Sequence, residues 1–345
     1  MSIPYVYDID VEYGRCDRVA SRIRRVVANN PSKFTFKGTG TYIVGEGEVA
    51  IIDAGPRDAA HVDALVRAVE GERVTHLLIT HTHGDHSPAA AMLKQRLGDI
   101  PTYGFGPHPL RADAERAWAE ANPDEPDPEL DAAIAAAGAD ADPSLGEAPK
   151  LEEHPDYDYT PDVVVGDCEV IEGTGFRFTA LHTPGHISNH LCFALEPRTS
   201  ADVATVFTGD HVMGWSTTIV PPPDGDMVDY FASLQRLLDR TDATYYPTHG
   251  PPIPRGHEYV NALLAHRRER EAQVLEQLAA GPRTILTMVK VMYADVRVEL
   301  HRPATRSVLS HLVKLVDEGR VLCDTVIPTL RSTYSLAPNP PLAGG

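Results

Sequence analysis

Two spacings of apolar residues alternate through most of this chain. Residues 37–55, KGTGTYIVGEGEVAIIDAG, predict two short strands joined by a glycine turn at Gly45–Gly47, the second ending at Asp53 and Gly55. Val62, Leu65, Val66 and Val69 then recur at helical spacing, and Val74–Thr80 reads as a strand whose run HLLIT is apolar enough for the inside of a sheet. Strand patterns resume at Cys168–Ile171, Phe176–Leu181, His190–Leu195 and Ala204–Thr208. An amphipathic helix over residues 230–240 and a short strand at Ala243–Tyr246 complete this part. Strands punctuated by polar, glycine-bearing turns, with helices between them, predict an α/β fold with layered sheets and helices outside.

Beyond Gly256 the pattern turns helical. A long connecting helix over Gly256–Leu278 is followed by helices at Arg283–Tyr293 and Ala304–Glu318, and Gly319–Cys323 pairs with Leu330–Ser335 as a hairpin. Three helices and a two-stranded wing describe a winged-helix-like unit, so the chain divides into residues 1–255 and residues 256–345, the latter holding the linker helix and the winged unit. Such units read DNA in many proteins, yet the third helix offers only Arg306 and Lys314 as fixed positive charges. Arg267, Arg268 and Arg270 form a local exception diluted by Glu269, and are expected to solvate the connecting helix or to pair with Glu269 and Glu271. A structural or homo-oligomer-forming role is therefore favoured over nucleic-acid contact.

Charge changes the picture further. The 49 acidic and 31 basic residues leave a formal charge of −18, which opposes unspecific adhesion to phosphate backbones or anionic lipid. Residues 121–167 hold 14 acids and a single lysine among repeated prolines and alanines, so they are expected to form a solvated surface insertion, with a short helix possible at Pro128–Ala137 and a lid as the alternative. Four cysteines, Cys16, Cys168, Cys192 and Cys323, never form a CxxC pair, a usage that suits a reducing compartment. With no secretory signal pattern and no apolar run of membrane-spanning length, a cytoplasmic protein without membrane contact is expected.

The candidate chemistry begins where the apolar strand HLLIT ends. THTHGDHS supplies His81, His83, Asp85 and His86 within six positions, a set of nitrogen and oxygen donors that suits divalent first-row metals. Six residues cannot easily encircle two ions, so a two-metal site needs partners from elsewhere. His186 in LHTPGHISNH, Asp210 in VFTGDHVMG and His249 in YYPTHGPP each follow a predicted strand and would reach the same sheet edge. His190, four positions after His186, is a candidate hydrogen-bond donor to a developing oxyanion or leaving group, and Trp215 and Tyr246 are candidate pocket walls.

The HxHxDH run from His81 to His86, backed by Asp53, His186, Asp210 and His249, resembles the metallo-beta-lactamase-fold hydrolases. The subgroup it looks most like carries a C-terminal winged-helix domain and includes glyoxalase II-type thioester hydrolases and a mitochondrial endoribonuclease. The resemblance covers about residues 36–340 and implies an αββα sandwich. It further implies two divalent metal ions: one held by His81, His83 and His186, the other by Asp85, His86 and His249. Asp210 and a water or hydroxide would bridge them, and Asp53 would orient the motif loop. Zinc is the expected metal, although an all-nitrogen-and-oxygen site also admits manganese or iron. The implied activity is hydrolysis of a small acyl substrate, a thioester, ester or lactone. Cleavage of RNA by a metal-dependent endoribonuclease is the alternative, and a non-catalytic metal-binding interaction protein is a third reading. The acidic balance favours the acyl substrate, because an RNA cleaver needs a cationic track beside its metals.

Overall fold

Strands whose residues are apolar without a break need cover on both faces, and the computed structural model shows what supplies it. The structure describes residues 2–108, 112–122, 154–199, 202–295 and 301–338. Its elements run β1 (Cys16–Ala20), β2 (Ile23–Val27), β3 (Gly40–Glu46), β4 (Glu48–Ile52), α1 (Ala59–Ala68), β5 (Arg73–Leu78), α2 (Ala90–Leu97), β6 (Thr102–Gly104), α3 (Ala112–Ala121) and β7 (Val163–Val164). They continue through β8 (Val170–Gly173), β9 (Phe176–His182), β10 (Leu191–Leu195), β11 (Thr205–Gly209), α4 (Met227–Leu238), β12 (Thr244–Pro247) and α5 (Gly256–Ala279). The remainder is β13 (Arg283–Thr284), α6 (Ile285–Met292), α7 (His301–Asp317), β14 (Val321–Cys323) and β15 (Thr333–Leu336).

Two sheets make the sandwich. The first has the order β1-β2-β3-β4-β5-β6-β7, antiparallel as far as β4 and parallel beyond it; the second has the order β12-β11-β10-β9-β8, with only β11 and β12 parallel. Alternation along β3 and β4 sends Tyr42, Val44, Ala50 and Ile52 inward, against Phe178, Phe193 and Phe207 of the second sheet. Ile43, Val49 and Ile51 face the other way and are covered by Val62 and Leu65 of α1 and Leu93 of α2. The outer face of the second sheet, with Leu181, Cys192 and Val206, is covered by Tyr230 and Leu234 of α4 and Tyr259 and Leu263 of α5. Asp58 and Asp226 start α1 and α4 by accepting the backbone N–H groups of Ala60 and Asp229. The αββα layering expected from the motif is therefore present.

The second core is smaller. Val274 and Leu278 of α5 pack with Ile285, Met288, Val308, Leu312, Leu315 and Tyr334, closed by the sheet β13-β15-β14. Helix α5 is thus shared, its first half buried on the sandwich and its last turns in the winged unit.

Several sequence expectations change in detail. The strands β1 and β2, the helix α2 and the strand β6 carry no strong periodic signal and were not expected. The proposed helix at Pro128–Ala137 lies outside the described residues, as do residues 123–153 of the insertion. The end of the insertion is no solvated spacer, because Tyr159 and Val165 are buried and the Asp162 carboxylate accepts the Thr102 N–H while pairing with Lys94. Among the described residues, no helix is long and apolar enough to cross a membrane.

Candidate metal centre

The site lies where β4, β5, β11 and β12 end. Asp53, directly after β4, takes a positive φ of 55° that a non-glycine residue adopts only when its surroundings demand it. The demand is visible: its carboxylate accepts Thr80 N–H at 2.8 Å, Thr248 Oγ1–H at 2.9 Å and the His86 Nδ1–H at 2.9 Å, and also takes the Thr80 hydroxyl. One carboxylate thus ties together the loops that carry His81–His86 and His249.

Chains of hydrogen bonds fix the tautomers. The Thr80 hydroxyl gives its proton to Asp53, so at 3.0 Å from His81 Nδ1 it can only accept, which leaves His81 Nε2 with its lone pair. His186 Nδ1 donates to the Ile219 carbonyl at 2.6 Å, leaving its Nε2 in the same state. Both Nε2 atoms point at His83 Nδ1, at 2.9 and 3.0 Å. A single ring proton on His83 can satisfy only one of them, so at least one pair of lone pairs faces the other without a proton between. A cation resolves that conflict, and the three residues fit one.

A second group lies beside the first. Asp85, His86 and His249 converge, and Asp210 shares His86 and His81 in a further triad; within each of the three clusters the ligand atoms lie within 4.8 Å of one another. His249 Nε2 is 3.3 Å from both Asp85 Oδ2 and Asp210 Oδ2, and its Nδ1 donates to the Gly38 carbonyl at 3.3 Å. Thr39 Oγ1 donates to Asp85 at 2.7 Å. His86 Nε2 and Asp210 Oδ1 are buried without a hydrogen-bond partner, which is what atoms reserved for an ion look like. The two groups together are clusters of the kind that a dinuclear site would need.

Charge follows position. Burial and then the like charges of His86 and His83 push the His81 pKa well below the ordinary imidazole value, and burial with His186 does the same for His83, so both are neutral and able to coordinate. Burial also opposes charge on His86 and His249, but the carboxylates win. With no cation present, Asp85, Asp210 and Asp53 hold His86 well above its usual value and Asp210 leads in raising His249 to about 10, so each ring would have to give up a proton in order to hold an ion. Burial works against ionised Asp210 too, and is overcome by His249 and His86.

His190 does not reach the cavity. It is fully buried, its Nδ1 donates to Thr183 Oγ1 at 2.9 Å, and its Nε2 accepts the backbone N–H of Asp210 at 3.3 Å. Gly209 lets it come this close, since a Cβ there would lie 2.5 Å from His190 Nε2. His190 therefore sets the backbone of Asp210 and is not placed to touch a substrate, contrary to the expectation from its spacing. Trp215 stacks on Phe36 at 4.9 Å and Tyr246 packs between the sheets, so neither walls the cavity.

That cavity, of about 410 Å³, opens over His83, Asp85, His186, Asp210 and His249. Phe34, Trp118, Tyr157, Ile187, Met213 and Ile219 make its walls largely apolar, and Arg306 of α7 stands exposed at its edge. The last part of the insertion belongs to it, for Pro155 pairs with His83 across a β-bridge and the His154 carbonyl accepts the Gly84 N–H at 3.0 Å. Thr39, Thr80, the Ile219 carbonyl and the wall from α3 are contributions that pattern reading missed. Of these, only Thr80 carries a signal, as a hydroxyl directly preceding a histidine; Thr248, which donates to Asp53, carries the same one.

Residues 36–249 match the metallo-beta-lactamase superfamily and residues 284–325 match the beta-lactamase associated winged helix domain. An atrochrysone carboxyl ACP thioesterase from Claviceps purpurea is 30% identical, over 77% of this chain and 67% of its own length. A beta-lactamase-like protein 2 homolog from Drosophila melanogaster is 28% identical, over 88% of this chain and 91% of its own. Among solved structures, a beta-lactamase domain protein from Burkholderia ambifaria superposes with a TM-score of 0.69 at 19% identity, covering 96% of each chain. Because the superfamily match spans every donor from His81 to His249 and these donors converge as a hydrolytic centre requires, the chain is a metal-dependent hydrolase belonging to the metallo-beta-lactamase superfamily, with the associated winged-helix domain following in the same chain.

Proposed function

We propose that this protein hydrolyses an acyl thioester with a bulky, largely apolar acyl group. The observation that carries this reading is the wall of the cavity, where aromatic and aliphatic side chains stand beside the His/Asp cluster and Arg306 is the one Lys or Arg among the described lining residues. An apolar cleft suits an acyl chain and excludes water from all but the reacting end. The thioesterase named among the relatives supports the same bond class.

In this reading His81, His83 and His186 would hold one ion and Asp85, His86 and His249 the other, with Asp210 offering its carboxylate to the centre. Zinc is the proposed metal, on the strength of the imidazole-rich donor set. Such a pair of ions supplies Lewis acidity and a water of lowered pKa. The chain's own residues do the rest. Asp210, kept ionised, accepts a hydrogen bond from the attacking water and orients it toward the acyl carbon. Water adds to that carbon, the carbon–sulfur bond breaks, and a carboxylic acid and a thiol leave. His190 contributes by fixing the Asp210 backbone.

Residues 1–255 carry the chemistry, and residues 256–345 shape the entrance. Among the described residues, two of the cations weighed for an RNA track are otherwise engaged, which supports the acyl reading over RNA: Lys314 pairs with Glu271 and Glu318, and Arg267 is buried. Four unpaired cysteines go with the cytoplasmic location proposed here. The test is a hydrolysis panel of acyl thioesters, lactones and single-stranded RNA with metal-replete protein. Thioester turnover should dominate; efficient RNA cleavage without efficient acyl turnover would reject the reading.

A further inference from the structure

Residues 215–225, between β11 and α4, have no regular secondary structure, so no helix or strand ladder satisfies the buried carbonyls there. Three consecutive carbonyls find theirs in three different places. That of Thr218 accepts from the Arg267 guanidinium of α5, and that of Val220 accepts from Ser310 Oγ of α7 at 2.6 Å. Between them, the Ile219 carbonyl accepts the His186 Nδ1–H at 2.6 Å. The carbonyl that fixes the tautomer and ring angle of His186 is thus gripped on both sides by helices of the C-terminal unit.

The grip is built, not incidental. Arg267 is only 3% exposed, its guanidinium lies 5.4 Å from the Tyr230 ring, and it also reaches Ser307 Oγ of α7 at 3.3 Å. Ser310 has one hydroxyl proton, and Val220, at 2.6 Å, is a closer acceptor than the Arg306 carbonyl of its own helix at 2.9 Å. The same segment is tied to the other side of the centre, because Thr218 Oγ1 donates to the Asp210 carbonyl at 2.8 Å. This also revises the expectation that Arg267, Arg268 and Arg270 merely solvate the connecting helix. Arg267 is an internal tie, Arg270 lies against Tyr293 and Gln273, and Glu271 pairs with Lys314 and Arg320 instead of with the arginines.

We propose that the C-terminal unit is a positioning element of the metal centre: Arg267 and Ser310 clamp the backbone on either side of Ile219 and so hold His186 in the orientation that binds an ion. This gives the appended domain a role that requires neither nucleic acid nor a second chain. The inference rests on His186 being a ligand, but not on which acyl group is hydrolysed.

The full chain, stripped of metal, is titrated with zinc against a chromophoric chelator, so that the readout is ion affinity and not turnover. Ser310→Ala and Arg267→Met should each weaken one of the two ions by about 10-fold, the lower end of what losing an outer hydrogen-bond partner costs. The other ion should be nearly unaffected. Leu312→Ala, two residues from Ser310 but with its side chain in the apolar core of the same unit, should lower the melting temperature and leave both affinities unchanged. His186→Ala should lose the same ion outright. Wild-type affinities in folded Ser310→Ala, or an equal loss in Leu312→Ala, would overturn the clamp, and if Arg267→Met fails to fold, Ser310→Ala decides alone. Two normally bound ions in His186→Ala would instead overturn the ligand assignment beneath it.

Discussion

Two loops flank the same cavity, and they are held by opposite means. The loop from His81 to Ser87 is secured from within the sandwich: Asp53 anchors both its ends, Asn189 Nδ2 donates to Thr82 Oγ1 at 2.9 Å, and Ser87 donates to Asp156 at 2.7 Å. The loop from Trp215 to Gly225 draws two of its ties from residues 256–345, one from the middle of α5 and one from α7. The first loop presents candidate donors directly, while the second presents a carbonyl that accepts from one of them, His186. Under the proposed clamp, a centre complete in its donors depends on a neighbouring unit for their alignment.

The comparison can be broken at several points. The largest effect belongs to the shared carboxylate: Asp210→Ala should reduce turnover by at least ~100-fold with the far-ultraviolet circular dichroism retained, because the two sheets pack without it. Near-native turnover in a metal-saturated variant would remove Asp210 from the centre. Next comes the anchor of the first loop. Asp53→Ala leaves the Thr80 N–H and the His86 ring without their acceptor and should weaken ion binding by about 10- to 100-fold, measured by chelator competition.

Smaller effects sharpen the entrance. Arg306→Gln removes a cation from the rim of the cavity and should raise KM for an anionic acyl thioester by no more than about fivefold, the range of an exposed charge pair, with kcat unchanged. An unchanged KM would show that Arg306 lines the cavity without meeting the substrate. The smallest effect is expected at Arg268, which is exposed where Arg267 is buried. Arg268→Gln should leave thioester hydrolysis at wild-type values, whereas a loss of RNA affinity with a shallower salt dependence would revive the nucleic-acid reading.

The donors were legible in the sequence because each is a charged or imidazole side chain placed just after an apolar strand, and strand ends on one sheet edge meet in space. The layered fold followed from that motif and from runs such as HLLIT. What remained hidden is carried by groups without a sequence signature. Any residue has a carbonyl, so nothing in ILE–VAL at 219–220 announces a bond to His186 or Ser310. His190 had the right spacing but the wrong side of its strand end, and burial turned it from the groove toward the Asp210 backbone. Arg267 looked like a surface charge because its neighbours Arg268 and Glu269 are exposed; helix geometry alone puts it on the inner face. The acidic stretch was read by composition, which hid the apolar Tyr159 and Val165 near its end.

The account stands on two ions acting together, and metal counting tests that most directly. Protein saturated with zinc and desalted should retain two ions per chain by elemental analysis, and thioester hydrolysis measured on the same samples should rise with occupancy of the second ion. Full activity at a stable occupancy of one ion per chain would contradict it.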